Sequence, residues 1–289
     1  MIKLFADTAN SEEIKYCFER GVNDGITTNP KIMESTGDLS LGFEGACKRI
    51  LSLYPGVPVS LETDFNGLEV SAVHGDPQEA RSLLLKQAYE LASWGKNVVV
   101  KIPICEGGLL AVRDLSSKGI KTNVTACMNP YQAIEAAKAG ATYVSLFANR
   151  MLDCHILESA GHSLEEIAQG EGWKAVVKAN NGAYGASAWS TTIRQIAYVA
   201  NQLEGTNTEL IVGSIRSPQD IIRLADAAPQ IITIPTGIVK GLENIPALKA
   251  STRRSETELN FNNYGISLQH HMTDYTLTEF EKAALSYRK

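Results

Sequence analysis

The chain has 289 residues, long enough for one large α/β barrel or two ordinary domains. Its 27 Lys+Arg against 32 Asp+Glu give a formal charge of −5, which argues against non-specific binding to nucleic acid or anionic membranes and leaves room for a local cationic pocket. With 44 % hydrophobic and 20 % charged residues and no apolar run long enough to span a membrane, the composition is that of a soluble globular protein.

The first segment, MIKLFADTAN, reaches an acidic residue at Asp7 and lacks the apolar core of a signal peptide, so a cytoplasmic location is expected. Alternation begins at once. The strand IKLFAD leads to Asn10-Ser11-Glu12-Glu13, where Asn10 can cap a helix and Glu13 stands at the third position of a capping box. That helix stops at Gly21, and a strand over 24–28 ends at Asn29-Pro30. Pro55-Gly56 precedes VPVSLE. Asp76-Pro77 opens a helix with Leu83, Leu84, Ala88, Leu91 and Trp94 on one side, and after Gly95 comes NVVVK. A helix near 107–118 precedes IKTNVT; Asn129-Pro130 starts another; Gly140 precedes ATYVSLF. ELIVGS is followed by the helix start Ser217-Pro218-Gln219-Asp220 and then by QIITIPT.

Eight strands are thus predicted, at 2–7, 24–28, 57–62, 97–102, 120–125, 142–147, 209–214 and 230–235. Strands alternating with helices pair in parallel through right-handed crossovers. Eight of them in a chain of this length predict a single (β/α)8 barrel domain over 1–289, with a C-terminal helical tail and an enlarged connection around 155–200. No G-x-G-x-x-G or P-loop motif follows a strand, which weighs against dinucleotide and nucleotide folds.

Within the enlarged connection, Asn180-Asn181-Gly182 and Tyr184-Gly185 read as a loop before a helix. The segment is either a decorated connection or a lid or oligomer contact. The tail predicts a helix from about Thr276 that packs across the barrel or onto another subunit. The five cysteines (Cys17, Cys47, Cys105, Cys127 and Cys154) are odd in number and scattered, so reduced thiols are expected and neither a disulfide framework nor a metal site is. The adjacent His270 and His271 read as a surface or terminal feature.

A barrel keeps its chemistry at the C-terminal ends of its strands. In order, those ends carry Asp7, Asn29, Glu62, Lys101, Asn123 with Thr125, Ser145 with Phe147 and Arg150, and Ser214 with Arg216. Each has a bland alternative: caps at Asp7 and Asn29, packing at Ser214, solvated cations at Lys101, Arg150 and Arg216. Their recurrence after nearly every strand favours a functional ring. Lys101, after three valines, could be an amine nucleophile whose apolar neighbours disfavour the ammonium. Asp7 and Glu62 could transfer protons. Asn29, Asn123, Thr125 and Ser145 could hold hydroxyl groups, and Arg150, Ser214 and Arg216 could grip a phosphate at the Ser217-capped helix. Together they describe a metal-free, cofactor-free aldol site for a phosphorylated sugar.

The segments FADTAN, GITTNPKI, VSLE, VVVKIP, NVT, YVSLFANR, VGSIRS and ITIPTG, in this order, resemble the transaldolase family. The tail HHMTDYTLTEF resembles the family's closing HP-[LM]-TD segment, with His271 where proline is expected. The resemblance covers nearly the whole chain except about 155–200. It implies that Lys101 forms the imine with the ketose C2 and that Asp7 takes the C4 hydroxyl proton to trigger C3–C4 cleavage. Glu62, with Thr125 and a water, would shuttle protons; Asn29, Asn123 and Ser145 would hold the dihydroxyacetone end; Arg150, Ser214 and Arg216 would bind the phosphate. Glu62 and Phe147 match transaldolases proper, where the related fructose 6-phosphate aldolases carry Gln and Tyr, so transfer of a dihydroxyacetone unit to an aldose phosphate is expected. A homo-oligomer acting on small sugar phosphates is the implied form. The alternatives are a fructose 6-phosphate aldolase, a sulfosugar transaldolase, or a phosphosugar-binding barrel without turnover.

Overall fold

Eight parallel strands close on themselves in the computed structural model, which describes residues 1–250 and 267–287. They are β1 (Lys3–Asp7), β2 (Gly25–Thr27), β3 (Val59–Glu62), β4 (Val98–Pro103), β5 (Thr122–Cys127), β6 (Tyr143–Phe147), β7 (Glu209–Gly213) and β8 (Ile231–Ile234). Each pairs with its sequence neighbours, and β8 returns to β1 through Lys3↔Ile231 and Ala6↔Ile234. Helices fill the connections, as the (β/α)8 expectation requires.

The helix starts follow from caps. Asn10, Asn29, Asp76, Asn129 and Ser217 each accept backbone N–H groups of the turn they open, and all but the first are followed by a proline at the first helical position. The box expected at Asn10 is half formed: Glu13 turns away to accept from Thr8 and Thr236 instead of its cap.

Side chains alternate along a strand, and that period stacks two layers inside the barrel. Phe5, Val99, Tyr143, Ile211 and Ile231 form a separate buried apolar cluster, the floor. Two residues further along the same strands stand Asp7, Lys101, Ser145, Gly213 and Thr233, which line the mouth. Phe5 meets Tyr143 edge to face, with centroids 6.0 Å apart. Gly25 makes room for this pair, since a Cβ there would lie 2.4 Å from the Phe5 ring. Gly25→Ala is therefore expected to destabilise the barrel by about 1–3 kcal/mol, measured by chemical or thermal unfolding.

Two local expectations are corrected. Asn180-Asn181-Gly182 and Tyr184-Gly185 do not form a loop: one helix, Gly172–Gln202, runs through them. Its buried residues, including Trp173, Ala188, Trp189, Ile196 and Val199, pack this helix against Ala148–Ser159, and burial outweighs the weak local preference for a turn. The enlarged connection is thus helical. The tail helix begins earlier than expected, at His271 rather than near Thr276, and ends at Tyr287. His271 is exposed, whereas His270 is half-buried and its imidazole is pushed down to about 4 by burial, so the pair is not simply a surface feature.

The tail helix crosses the barrel mouth. Glu281 accepts from the backbone N–H of Phe65 (2.8 Å), Asp274 meets His74 (2.8 Å), and Thr273 donates to the Ala126 carbonyl (2.9 Å). Ala126 has φ +60° and sits where the β5–β6 register shifts, a bulge just past Thr125. No helix among the described residues is long and apolar enough to cross a membrane. The five cysteines are buried and none is in a disulfide among the described residues, and burial pushes Cys105 up to about 12.

Candidate active site

Parallel register sets three inward residues side by side. Lys101 on β4 faces Glu62 on β3 and Asn123 on β5 at the same level. Lys101 is 4 % exposed. Its Nζ lies 2.9 Å from Glu62 Oε2 and donates to the Thr28 carbonyl at 3.0 Å. The amine is therefore not a solvated surface group, and the neighbouring carboxylate is close enough to exchange a proton with it directly.

Across the mouth, Asp7 accepts from Thr27 Oγ1 at 2.7 Å, its register partner on β2. Burial pushes the Asp7 carboxyl above its ordinary value, and the Lys101 charge and the Thr27 hydrogen bond only partly offset this. The result is a more basic carboxylate beside the amine.

The hydroxyl-binding candidates are pre-oriented. Ser145 donates to Asn123 Oδ1 at 2.7 Å, and Asn123 donates to Ser60 Oγ at 3.2 Å, which fixes the orientation of its amide. Asn29 commits its Oδ1 to the Ile32 N–H (2.9 Å), so the amide nitrogen is the end it can offer. The Thr125 hydroxyl is buried and has no hydrogen-bond partner among the described residues.

A cavity of about 270 Å³ joins these groups. Of the expected residues, Asp7, Asn29, Lys101, Ser145, Phe147, Arg150 and Ser214 line it. Glu62 reaches it through Lys101 and Asn123 through Ser145, while Arg216 does not line it. Arg216 opens instead onto a second cavity, its guanidinium gripped by both oxygens of the buried Asp153 at 2.5 and 2.8 Å. Arg150 lines both cavities, over the rings of Trp173 and Tyr275. Ser214 holds φ +62°, a strained backbone pinned by Asn149, which donates to its carbonyl at 2.7 Å.

Sequence reasoning missed Thr27, Lys31, Thr276 and Phe280, all of which line the Lys101 cavity. Thr27 was within reach, since it ends β2 as Asp7 ends β1. Lys31 follows the Asn29-Pro30 cap by one residue. Phe280, whose ring centroid is 6.0 Å from Lys101 Nζ, comes from the tail helix and has no local signal.

This (β/α)8 barrel sets a buried lysine, a buried and a half-buried carboxylate and oriented amides at its strand tips, the face at which such barrels keep their chemistry. The comparisons narrow the class. The family model for transaldolase/fructose-6-phosphate aldolase matches residues 4–288. A probable transaldolase of Thermodesulfovibrio yellowstonii is 36 % identical over 245 residues, 85 % of this chain and 92 % of the relative. Probable transaldolases of Aquifex aeolicus (37 % over 248 residues; 85 % and 90 %) and Clostridium perfringens (34 % over 254 residues; 88 % and 95 %) are similar to it as well. The chain belongs to the transaldolase/fructose-6-phosphate aldolase family.

Proposed function

We propose that the protein is a transaldolase that moves a dihydroxyacetone unit from a ketose phosphate to an aldose phosphate through an imine on Lys101. The observation that carries this is the buried Lys101 amine, 2.9 Å from Glu62, in a cavity that also holds Asp7.

Glu62 takes the proton from Nζ, and the free amine adds to the ketose C2 carbonyl. Glu62 then returns a proton to the departing hydroxyl through a water held at the unpartnered Thr125 hydroxyl, and the imine forms. Asp7 removes the proton of the C4 hydroxyl. The C3–C4 electron pair flows into the protonated imine, an aldose phosphate leaves, and the three-carbon enamine stays on Lys101. An incoming aldehyde is attacked by that enamine, with Asp7 returning its proton to the new hydroxyl, and water then hydrolyses the resulting imine to free the new ketose phosphate and the Lys101 amine. Asn29, Asn123 and Ser145 hold the dihydroxyacetone hydroxyls, and Arg150, Ser214 and Arg216 hold the phosphate between the two cavities. The barrel tips supply every proton acceptor in these steps, so no cofactor is invoked.

Phe147, 6.4 Å from Phe280 between ring centroids, gives the mouth an apolar side that keeps water from the enamine. Phe147→Tyr is expected to raise the ratio of free cleavage to transfer about tenfold, read as aldose phosphate released with and without acceptor. Thr125→Val removes a buried hydroxyl that has no partner among the described residues, so stability is expected to stay within about 1 kcal/mol while imine formation slows about tenfold. Stopped-flow trapping alongside an unfolding curve checks both halves.

The direct test is a steady-state assay of fructose 6-phosphate with erythrose 4-phosphate as acceptor. Formation of the seven-carbon ketose phosphate supports the proposal. Release of glyceraldehyde 3-phosphate at the same rate without an acceptor would make the enzyme an aldolase, and no turnover of either kind would remove it from catalysis.

A further inference from the structure

Arg150 lines both cavities at the barrel mouth, and it is held differently from Arg216. Arg216 gives two of its N–H groups to the buried Asp153. Arg150 makes no ion pair with a carboxylate among the described residues. Its guanidinium carbon lies 5.7 Å from the Trp173 ring centroid and 5.2 Å from that of Tyr275. The two rings meet edge to face, with centroids 5.4 Å apart and planes at 87°, and form a corner that the cation occupies. Arg150 Nη1 also donates to Met272 Sδ at 3.9 Å.

Neither ring comes from a barrel strand. Trp173 stands in the first turn of Gly172–Gln202, the helix of the enlarged connection, and Tyr275 belongs to the tail helix His271–Tyr287. Glu171 fastens these two segments together. It accepts from Tyr275 Oη and pairs with Lys174, whose ammonium lies over the same two rings. Trp173 is 3 % exposed and Tyr275 is half-buried, so packing sets the corner before any ligand arrives. A ring face attracts a guanidinium without taking up its N–H fork, whereas a carboxylate occupies that fork. An arginine held in this way keeps its donors for an incoming anion. It has also already lost the rotamer freedom that binding would otherwise cost.

We infer that Trp173 and Tyr275 are positioning residues, which set Arg150 for the substrate phosphate. The enlarged connection thereby serves the reaction through one of its rings. The tail helix, which supplies the other ring, also brings Thr276 and Phe280 to the Lys101 cavity, so it borders both ends of the substrate. This assignment rests on the phosphate contact of Arg150 proposed above.

The test titrates inorganic phosphate by calorimetry and measures steady-state kinetics with fructose 6-phosphate. It uses the wild type, Trp173→Leu, Tyr275→Leu and the ring-keeping variants Trp173→Phe and Tyr275→Phe, at about 0.15 M salt. In the leucine variants the phosphate Kd and the KM for fructose 6-phosphate are expected to rise together, by about threefold to tenfold. Values of kcat should stay within about twofold. Borohydride trapping with dihydroxyacetone, which carries no phosphate, should be unchanged. The phenylalanine variants should recover most of the phosphate affinity. If loss of the buried Trp173 ring prevents folding, Tyr275→Leu carries the test. A phosphate Kd unchanged in Tyr275→Leu overturns the assignment, as does a wild type that binds no phosphate. A fall in kcat and in dihydroxyacetone trapping at constant Kd would make the rings packing groups alone. Trapping with fructose 6-phosphate separates the two proposals. A trapped wild-type imine with an unchanged variant Kd refutes the positioning alone, whereas a raised variant Kd in a protein that traps no imine supports the positioning and refutes the imine.

Discussion

Lys101→Ala is expected to lose turnover by at least about 10⁴-fold, because the proposed imine needs the buried amine, whereas Lys31, which also lines the cavity, is exposed and paired with Glu279. The same substitution removes the ammonium from beside a buried carboxylate. Glu62 and Lys101 have side chains only 2 % and 5 % exposed, and breaking such a pair costs about 3–5 kcal/mol. A fall in melting temperature should therefore accompany the loss of activity. The two effects separate in the double variant Lys101→Ala/Glu62→Gln, which is expected to recover most of the stability and none of the turnover. Thermal unfolding and the coupled assay, run side by side, check this. Residual activity in a fully folded double variant would mean that the amine is not the nucleophile.

Asp7→Asn is expected to slow carbon–carbon cleavage by about 10²–10⁴-fold while leaving the imine trappable by borohydride. The amide can still accept from Thr27 but cannot take the C4 proton. Its effect on stability has the opposite sign. Burial raises the folded-state pKa of Asp7 above its ordinary value of 3.8, so its favourable contribution is complete below that value and is lost as pH rises through the folded pKa. Once ionised, the carboxylate costs stability that the amide does not. The variant should melt a few degrees above the wild type at pH 7, and the difference should shrink toward pH 4. A variant that melts lower at pH 7 and cleaves normally would remove Asp7 from the role of base. Such an exchange of stability for function is what a desolvated carboxylate in the proposed role of base is expected to show.

Much of this site was legible along the chain because parallel barrels convert strand order into spatial order. Apolar runs announce the strands that end near Asp7, Glu62, Lys101, Asn123 and Ser145, caps announce the helices opened at Asn10 and Asn129, and the register sets Glu62, Lys101 and Asn123 side by side. What was not legible depends on long-range pairing. Arg216 reads along the chain as a free cation, and its pairing with Asp153, 63 residues earlier, which sets it beside Arg150 on the neighbouring cavity, has no local signal. Phe280 and Thr276 reach the Lys101 cavity only because the tail helix folds back, fastened by Glu281 to the Phe65 N–H. The helix Gly172–Gln202 carries Asn and Gly signals that favour a turn, and only its packing on Ala148–Ser159 shows why it stays helical.

The most direct measurement is peptide mass spectrometry after borohydride reduction in the presence of fructose 6-phosphate. A reduced sugar-derived adduct on Lys101, absent without borohydride and absent from Lys101→Ala, is the predicted result. An unmodified Lys101, or an adduct carried by another lysine, would contradict it.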